Sequence, residues 1–78
     1  MRTIEILGPG CYTCYLLERA VEEAVKLAGI EGNVVRVSDY GRILAYGVMH
    51  TPGLVIDGRL VSVGRVPSPD TIAAWLTA

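Results

Sequence analysis

Apolar and polar residues alternate at the start of the chain. In Arg2-Thr3-Ile4-Glu5-Ile6-Leu7, Ile4 and Ile6 fall on one side and Thr3, Glu5 and Leu7 on the other, a period of two that predicts a β-strand. Gly8-Pro9-Gly10 ends it. The period then lengthens: from Tyr12 to about Ala28, the residues Leu17, Val21, Ala24, Val25 and Ala28 recur at helical spacing, with Glu18, Glu22, Glu23 and Lys26 among them. Gly29 suits the left-handed residue that closes a helix. Residues 33–37, Asn-Val-Val-Arg-Val, return to a β-branched run and predict a second strand. Ser38 offers a cap for a short helix over Asp39 to Tyr46, with Ile43 and Leu44 turned inward and Gly47 terminating it. Residues 53–57 and 59–63 are two apolar runs meeting at Asp57-Gly58, a strong hairpin signal, so these strands are antiparallel. Ser68-Pro69-Asp70 opens a last helix with a capping hydroxyl, a proline in the first turn and an acid at the positive end of the dipole. Ile72, Ala73, Trp75 and Leu76 supply its buried side, and Met49 is assigned to the core.

The order is βαβαββα, an α/β pattern. Two strands joined through a helix run parallel by a right-handed crossover, so the expected architecture is a four-stranded mixed sheet flanked by three helices on its two faces. Seventy-eight residues suffice for one modest core, and residues 1–78 read as a single domain. With 51% hydrophobic and 19% charged residues the chain is too apolar for a disordered segment. A formal charge of −1, with the basic residues scattered singly, gives no cationic stripe, so neither nucleic acid nor a membrane surface is expected as a partner. No run has the length of a membrane span or the pattern of a signal peptide, which makes the cytoplasm the expected location; a monomer is the expected form. Asn33 is the sole carboxamide side chain, a composition seen where labile amides are avoided at high temperature.

The chemistry concentrates in Gly8-Pro9-Gly10-Cys11-Tyr12-Thr13-Cys14, which holds both cysteines. In the reducing cytoplasm a persistent structural disulfide is not expected, and a bridge closing four residues would remove only ~2 kcal/mol of unfolded-state entropy. Two readings stand. As a dithiol, residues three apart at the opening of a helix share a face, which brings Cys14 under Cys11 and puts disulfide geometry within reach. Cys11 faces unpaired N–H groups and the positive end of the dipole, both of which favour its thiolate and lower its pKa. It is then the attacking nucleophile, and Cys14, one turn further in, the resolving thiol; two electrons move without a bound cofactor. As a metal or metalloid module, the pair falls short of a closed zinc site, since His50 is the lone histidine, but two thiolates could hold a soft ion such as Cu(I), and a dimer could pool ligands.

The element order, the Cys-x-x-Cys at the first helix start and Thr51-Pro52 opening the third strand together resemble the minimal thioredoxin fold over the whole chain. Three blocks carry a closer likeness: Gly8 through Cys14; Tyr46-Gly47-Val48-Met49 running into Thr51-Pro52-Gly53-Leu54-Val55-Ile56-Asp57-Gly58; and Gly64-Arg65-Val66-Pro67-Ser68. They are similar to the small thioredoxin-like redox-active disulfide proteins of archaea and bacteria. The resemblance implies a thiol–disulfide oxidoreductase that acts on disulfide-containing proteins or small molecules and is re-reduced by an upstream reductase or thiol donor. It also implies that Pro52 is cis and that the backbone of Thr51 pairs with an extended segment of the partner. Glu5, six residues before Cys11, stands where thioredoxins carry a buried acid, although a glutamate so near a terminus is more often solvated. His50, read as an exposed loop residue, and Glu5 are the two candidate modulators of the thiol pKa. Tyr12 and Thr13 match neither the Gly-Pro of thioredoxins nor the Pro-Tyr of glutaredoxins, and Tyr12 is a candidate partner contact. A glutaredoxin-like use of glutathione is the other redox reading; Arg65 could attract that anion, but no Gly-Gly-x-x-Asp stretch precedes the last helix.

Overall fold

The computed structural model describes residues 1–78 and places the first strand, β1 (Arg2–Leu7), in the middle of a sheet of order β2-β1-β3-β4. After β1 come α1 (Tyr12–Ala28), β2 (Gly32–Val37), α2 (Tyr40–Ala45), β3 (Gly53–Ile56), β4 (Arg59–Val63) and α3 (Pro69–Thr77). β2 pairs parallel with β1, β3 pairs antiparallel with β1 and β4 antiparallel with β3, which gives the mixed sheet that the element order calls for.

Alternation along β1 divides the interior in two. Ile4 and Ile6 join Leu17, Val21 and Ala24 of α1, Leu54 and Ile56 of β3, and Ile72 and Leu76 of α3 in one cluster. Leu7 joins Val37, Ile43, Val48 and Val55 in the other, under α2. Most of the stability of a helix in a protein comes from packing of its apolar face and not from propensity. Leu17 and Val21 of α1 are fully buried, each contributing roughly 2 kcal/mol to holding the helix on the sheet. Its end is a left-handed Gly29 (φ 65°), whose N–H reaches the carbonyls of Val25 and Lys26. β2 begins one residue earlier than the β-branched run predicts, at Gly32. A Cβ there would come within 3.0 Å of Val25 Cγ2, so the bare backbone lets α1 lie close over the strand.

Several side chains depart from the sequence expectation. The cap of α2 is Asp39, not Ser38: its Oδ2 accepts from the Arg42 N–H at 3.1 Å, because buried Val37 is still in the sheet and Ser38 is spent leaving it. Tyr46 caps the other end instead of continuing the helix. Leu44 is exposed, since on so short a helix only Ile43 faces the sheet and its neighbour lies about 100° around. Met49 is exposed, not core; it follows buried Val48 in an irregular segment and turns the other way. Trp75 is half-buried and packs at the margin of the larger cluster.

The hairpin turns at Asp57 (φ 50°) and Gly58 (φ 82°), so β3 stops at Ile56, one residue short of the predicted end. Asp57 also ties the turn to β1. Its N–H donates to the Thr3 carbonyl (2.8 Å), its Oδ1 accepts from the Thr3 N–H (2.9 Å) and its Oδ2 from the Arg2 guanidinium (2.8 Å). The side chain thus stands in for the carbonyl that the left-handed turn has rotated away. Arg2 first, and then the Thr3 N–H, hold the Asp57 carboxyl below its ordinary pKa. A depressed folded-state pKa means a contribution present above the unfolded value, about 3.9, and lost as pH falls through the folded value. Asp57→Asn keeps the turn's φ, and is expected to lower the denaturation midpoint at neutral pH; the gap from the wild type should close below about pH 4.

Candidate active site

The site starts where β1 ends. Gly8 adds one more bond to the parallel ladder, its N–H donating to the Val37 carbonyl at 2.9 Å, and left-handed Gly10 (φ 94°) then swings the chain into α1. Cys11 is the N-cap of that helix, in extended geometry, and its sulfur occupies the place of the usual cap oxygen. The Cys14 N–H donates to Cys11 Sγ at 3.2 Å, and the Thr13 hydroxyl lies 3.2 Å from the same sulfur. No acidic residue stands in the first turn to offset the positive end of the helix dipole. Cys11 and Cys14 form a disulfide, with Cα atoms 5.0 Å apart. The two sulfurs differ in access: Cys11 is partly exposed, whereas Cys14 has 0% of its surface open to solvent.

The segment before β3 lies beside the end of β1. Register pairs Leu7 with Gly53, so the next pair along the two strands is Gly8 with Pro52. The Thr51–Pro52 peptide is cis, Pro52 is buried and Thr51 partly exposed. The Gly64 N–H donates to the Pro52 carbonyl at 2.8 Å and anchors the segment to the end of β4. Around this centre Tyr12 is 74% exposed and Met49 79%, and His50 is exposed with its Cβ against Gly64. Arg36, which sequence reasoning passed over, brings its guanidinium beside Gly10; the signal was the parallel register, which aligns it with Ile6 near the end of β1.

Glu5 is not solvated. It is 9% exposed on the α2 side of the sheet, its Oε1 accepting from Arg42 at 3.0 Å and its Oε2 from the Tyr46 hydroxyl at 2.8 Å. Both of its oxygens are thus taken up by α2 and the residue after it, and neither is hydrogen-bonded to a cysteine. Nor do three or more His, Cys, Asp or Glu side chains converge anywhere as a metal-binding group. An open groove of about 500 Å³, lined by Arg2, Ile56, Asp57, Arg59, Val61, Trp75 and Ala78, lies at the hairpin end of the sheet, away from the sulfurs.

A sulfur that can be reached, with a second one sealed behind it to receive the bond, is an arrangement for passing disulfides. On this mixed sheet, at the start of the helix that follows its first strand, it defines the thioredoxin class of thiol–disulfide oxidoreductases. The chain belongs to that family: the family described as "Thioredoxin domain" matches residues 2–77. Among its relatives, the thioredoxin of Methanothermobacter thermautotrophicus is 40% identical over 77 residues, which cover 99% of this chain and 100% of the relative. The thioredoxin of Methanocaldococcus jannaschii is 36% identical over 72 residues, 92% of this chain and 83% of that one.

The bond to Glu5 holds the Tyr46 phenol above its ordinary pKa, with desolvation adding to it. A raised folded-state pKa gives a contribution present below the unfolded value, about 10, and lost as pH rises through the folded one. Alkaline titration followed by phenolate absorbance should therefore show a late step for Tyr46, which Tyr46→Phe should remove. A titration that Tyr46→Phe leaves without loss of a late step would mean that the Glu5–Tyr46 bond does not persist in solution.

Proposed function

We propose that the chain reduces disulfides through Cys11 as attacking thiolate and Cys14 as resolving thiol. The observation that carries this reading is the difference in access: Cys11 partly open at the helix start, Cys14 fully covered. In the dithiol form, Cys11 Sγ attacks one sulfur of the partner's disulfide and the other sulfur leaves as a thiolate. A mixed disulfide links Cys11 to the partner. Cys14, having lost its proton, attacks Cys11 Sγ; the partner's second sulfur leaves, and the Cys11–Cys14 bond forms. Two electrons pass to the partner, and an upstream reductase or thiol donor restores the dithiol by the reverse exchange.

The surroundings of Cys11 support its role. The Cys14 N–H, the Thr13 hydroxyl and the start of α1 present donors and partial positive charge to its sulfur. We assign Thr51 and Pro52 to substrate binding: an extended stretch of the partner pairs with the Thr51 backbone by strand addition, while Tyr12 offers an exposed aromatic face. Partners are disulfide-containing proteins or small molecules of the cytoplasm.

In the reduced protein, the Cys11 thiol should titrate below the value of about 8.5 for a free cysteine. Cys14→Ser should hold a model disulfide protein as a mixed disulfide on Cys11, detected by mass, whereas Cys11→Ser should trap none. Trapping by Cys11→Ser but not by Cys14→Ser would reverse the two roles. Failure of both variants to trap, together with a wild type that does not turn over disulfides, would sink the redox reading.

A further inference from the structure

The close approach of Gly8 to Cys14 links the end of β1 to the redox couple. A Cβ built on Gly8 would fall on Cys14 Sγ, nearer than any non-bonded contact allows; it would also stand 3.4 Å from Cys14 Cβ and 3.8 Å from Thr51 Cβ. The sulfur therefore occupies the volume that any side chain at position 8 would need. Gly8 itself is not in the left-handed region, so backbone conformation does not call for glycine here. Packing does. From this we infer that Gly8 is a positioning residue for the couple, and that its missing side chain is what lets the Cys11–Cys14 disulfide close at no steric cost.

The asymmetry between redox states follows from what can move. Gly8 is buried and held by its N–H bond to the Val37 carbonyl (2.9 Å), one step beyond Leu7, which pairs with both Val37 and Gly53. The strand end cannot draw back without breaking ladder bonds. In the disulfide form, Cys14 Sγ cannot draw back either, because it is bonded to Cys11. In the dithiol form that bond is gone, and rotation about χ1 of Cys14 carries the sulfur to another staggered position. The Cys14 Cβ that remains, at 3.4 Å, is an ordinary neighbour for a methyl group. A methyl at position 8 thus opposes the disulfide more than the dithiol, and a cost confined to one of two states shifts the equilibrium between them.

The inference rests on the redox reading above, and the experiment separates the two. The wild type and Gly8→Ala are equilibrated with graded mixtures of reduced and oxidised dithiothreitol. The Cys11–Cys14 bond is reduced to two thiols while dithiothreitol is oxidised to its cyclic disulfide, so two electrons and two protons move. Gly8→Ala is expected to shift the equilibrium at least tenfold toward dithiol, about 30 mV less negative for a two-electron couple. A variant within twofold of the wild type overturns this inference and leaves the redox reading intact. A wild type that never equilibrates overturns both. Denaturant stability supplies the second arm, since oxidised Gly8→Ala could fail to fold. Gly8→Ala should lower the denaturation midpoint of the oxidised protein but hardly change that of a Cys14→Ala protein, where no sulfur opposes the methyl. Equal losses in the two backgrounds, or failure to fold in both, would show that something other than Cys14 Sγ fills the space, and would also overturn the inference.

Discussion

Burial of β1 on both faces is the constraint on which the rest of the structure depends. Ile4 and Ile6 commit one face of the strand to α1 and α3, and Leu7 commits the other to α2. Because strand side chains alternate strictly, a slip of one residue would exchange the two faces and strand both clusters. The register so enforced reaches beyond the core. It pairs Leu7 with Gly53 and with Val37, and so decides that Gly8, the first residue of the turn carrying the cysteines, faces Pro52. The active site is in this sense a by-product of core packing at one end of a central strand.

Once the turn is placed, the start of α1 divides labour between two chemically identical side chains. Cys11 sits outside the helix as its cap, where a sulfur meets N–H donors and partial positive charge while remaining within reach of a partner. Cys14 lies one turn in, fully covered, with its sulfur against the bare Gly8 at the strand end. The two-step exchange proposed above uses this inequality, the first thiol being the one a substrate can reach and the second the one it cannot. Gly8 contributes by having nothing to contribute: its empty side places the second sulfur against bare backbone.

Polar contacts do the remaining work of joining elements far apart in sequence. Asp57 binds the hairpin turn to the N-terminal residues of β1, and Glu5 binds the centre of β1 to α2 and to the residue that leads into the Thr51–Pro52 segment. A buried carboxylate is costly unless its oxygens are paired, and both oxygens of Glu5 are. Pairing turns an apparent misfit on an apolar face of the sheet into a fastening for α2 and the residue that caps it.

Much of this was legible in the chain itself. The two periodicities, the Asp57-Gly58 turn and the Ser68-Pro69 cap define seven elements in order, and the crossover rule makes their sheet mixed, because each of these signals acts over a few residues. Cys11 and Cys14 were equally plain, being local to one turn. Contacts made across the sheet were not. No window of sequence shows that Glu5 meets Arg42 and Tyr46 thirty-seven and forty-one positions away, or that Arg36 reaches Gly10. Nor does one show that Met49 and Leu44 face solvent, since in a loop and a six-residue helix the hydrophobic period is too short to specify a direction. Returning to β1, the residues alone determined that the strand exists and that a thiol pair follows it. Only the tertiary structure decided that the bare Gly8 lies against the Cys14 sulfur and that Glu5 is buried with Arg42 and Tyr46 on its oxygens, because such contacts belong to what packs over a side chain and not to its neighbours in sequence.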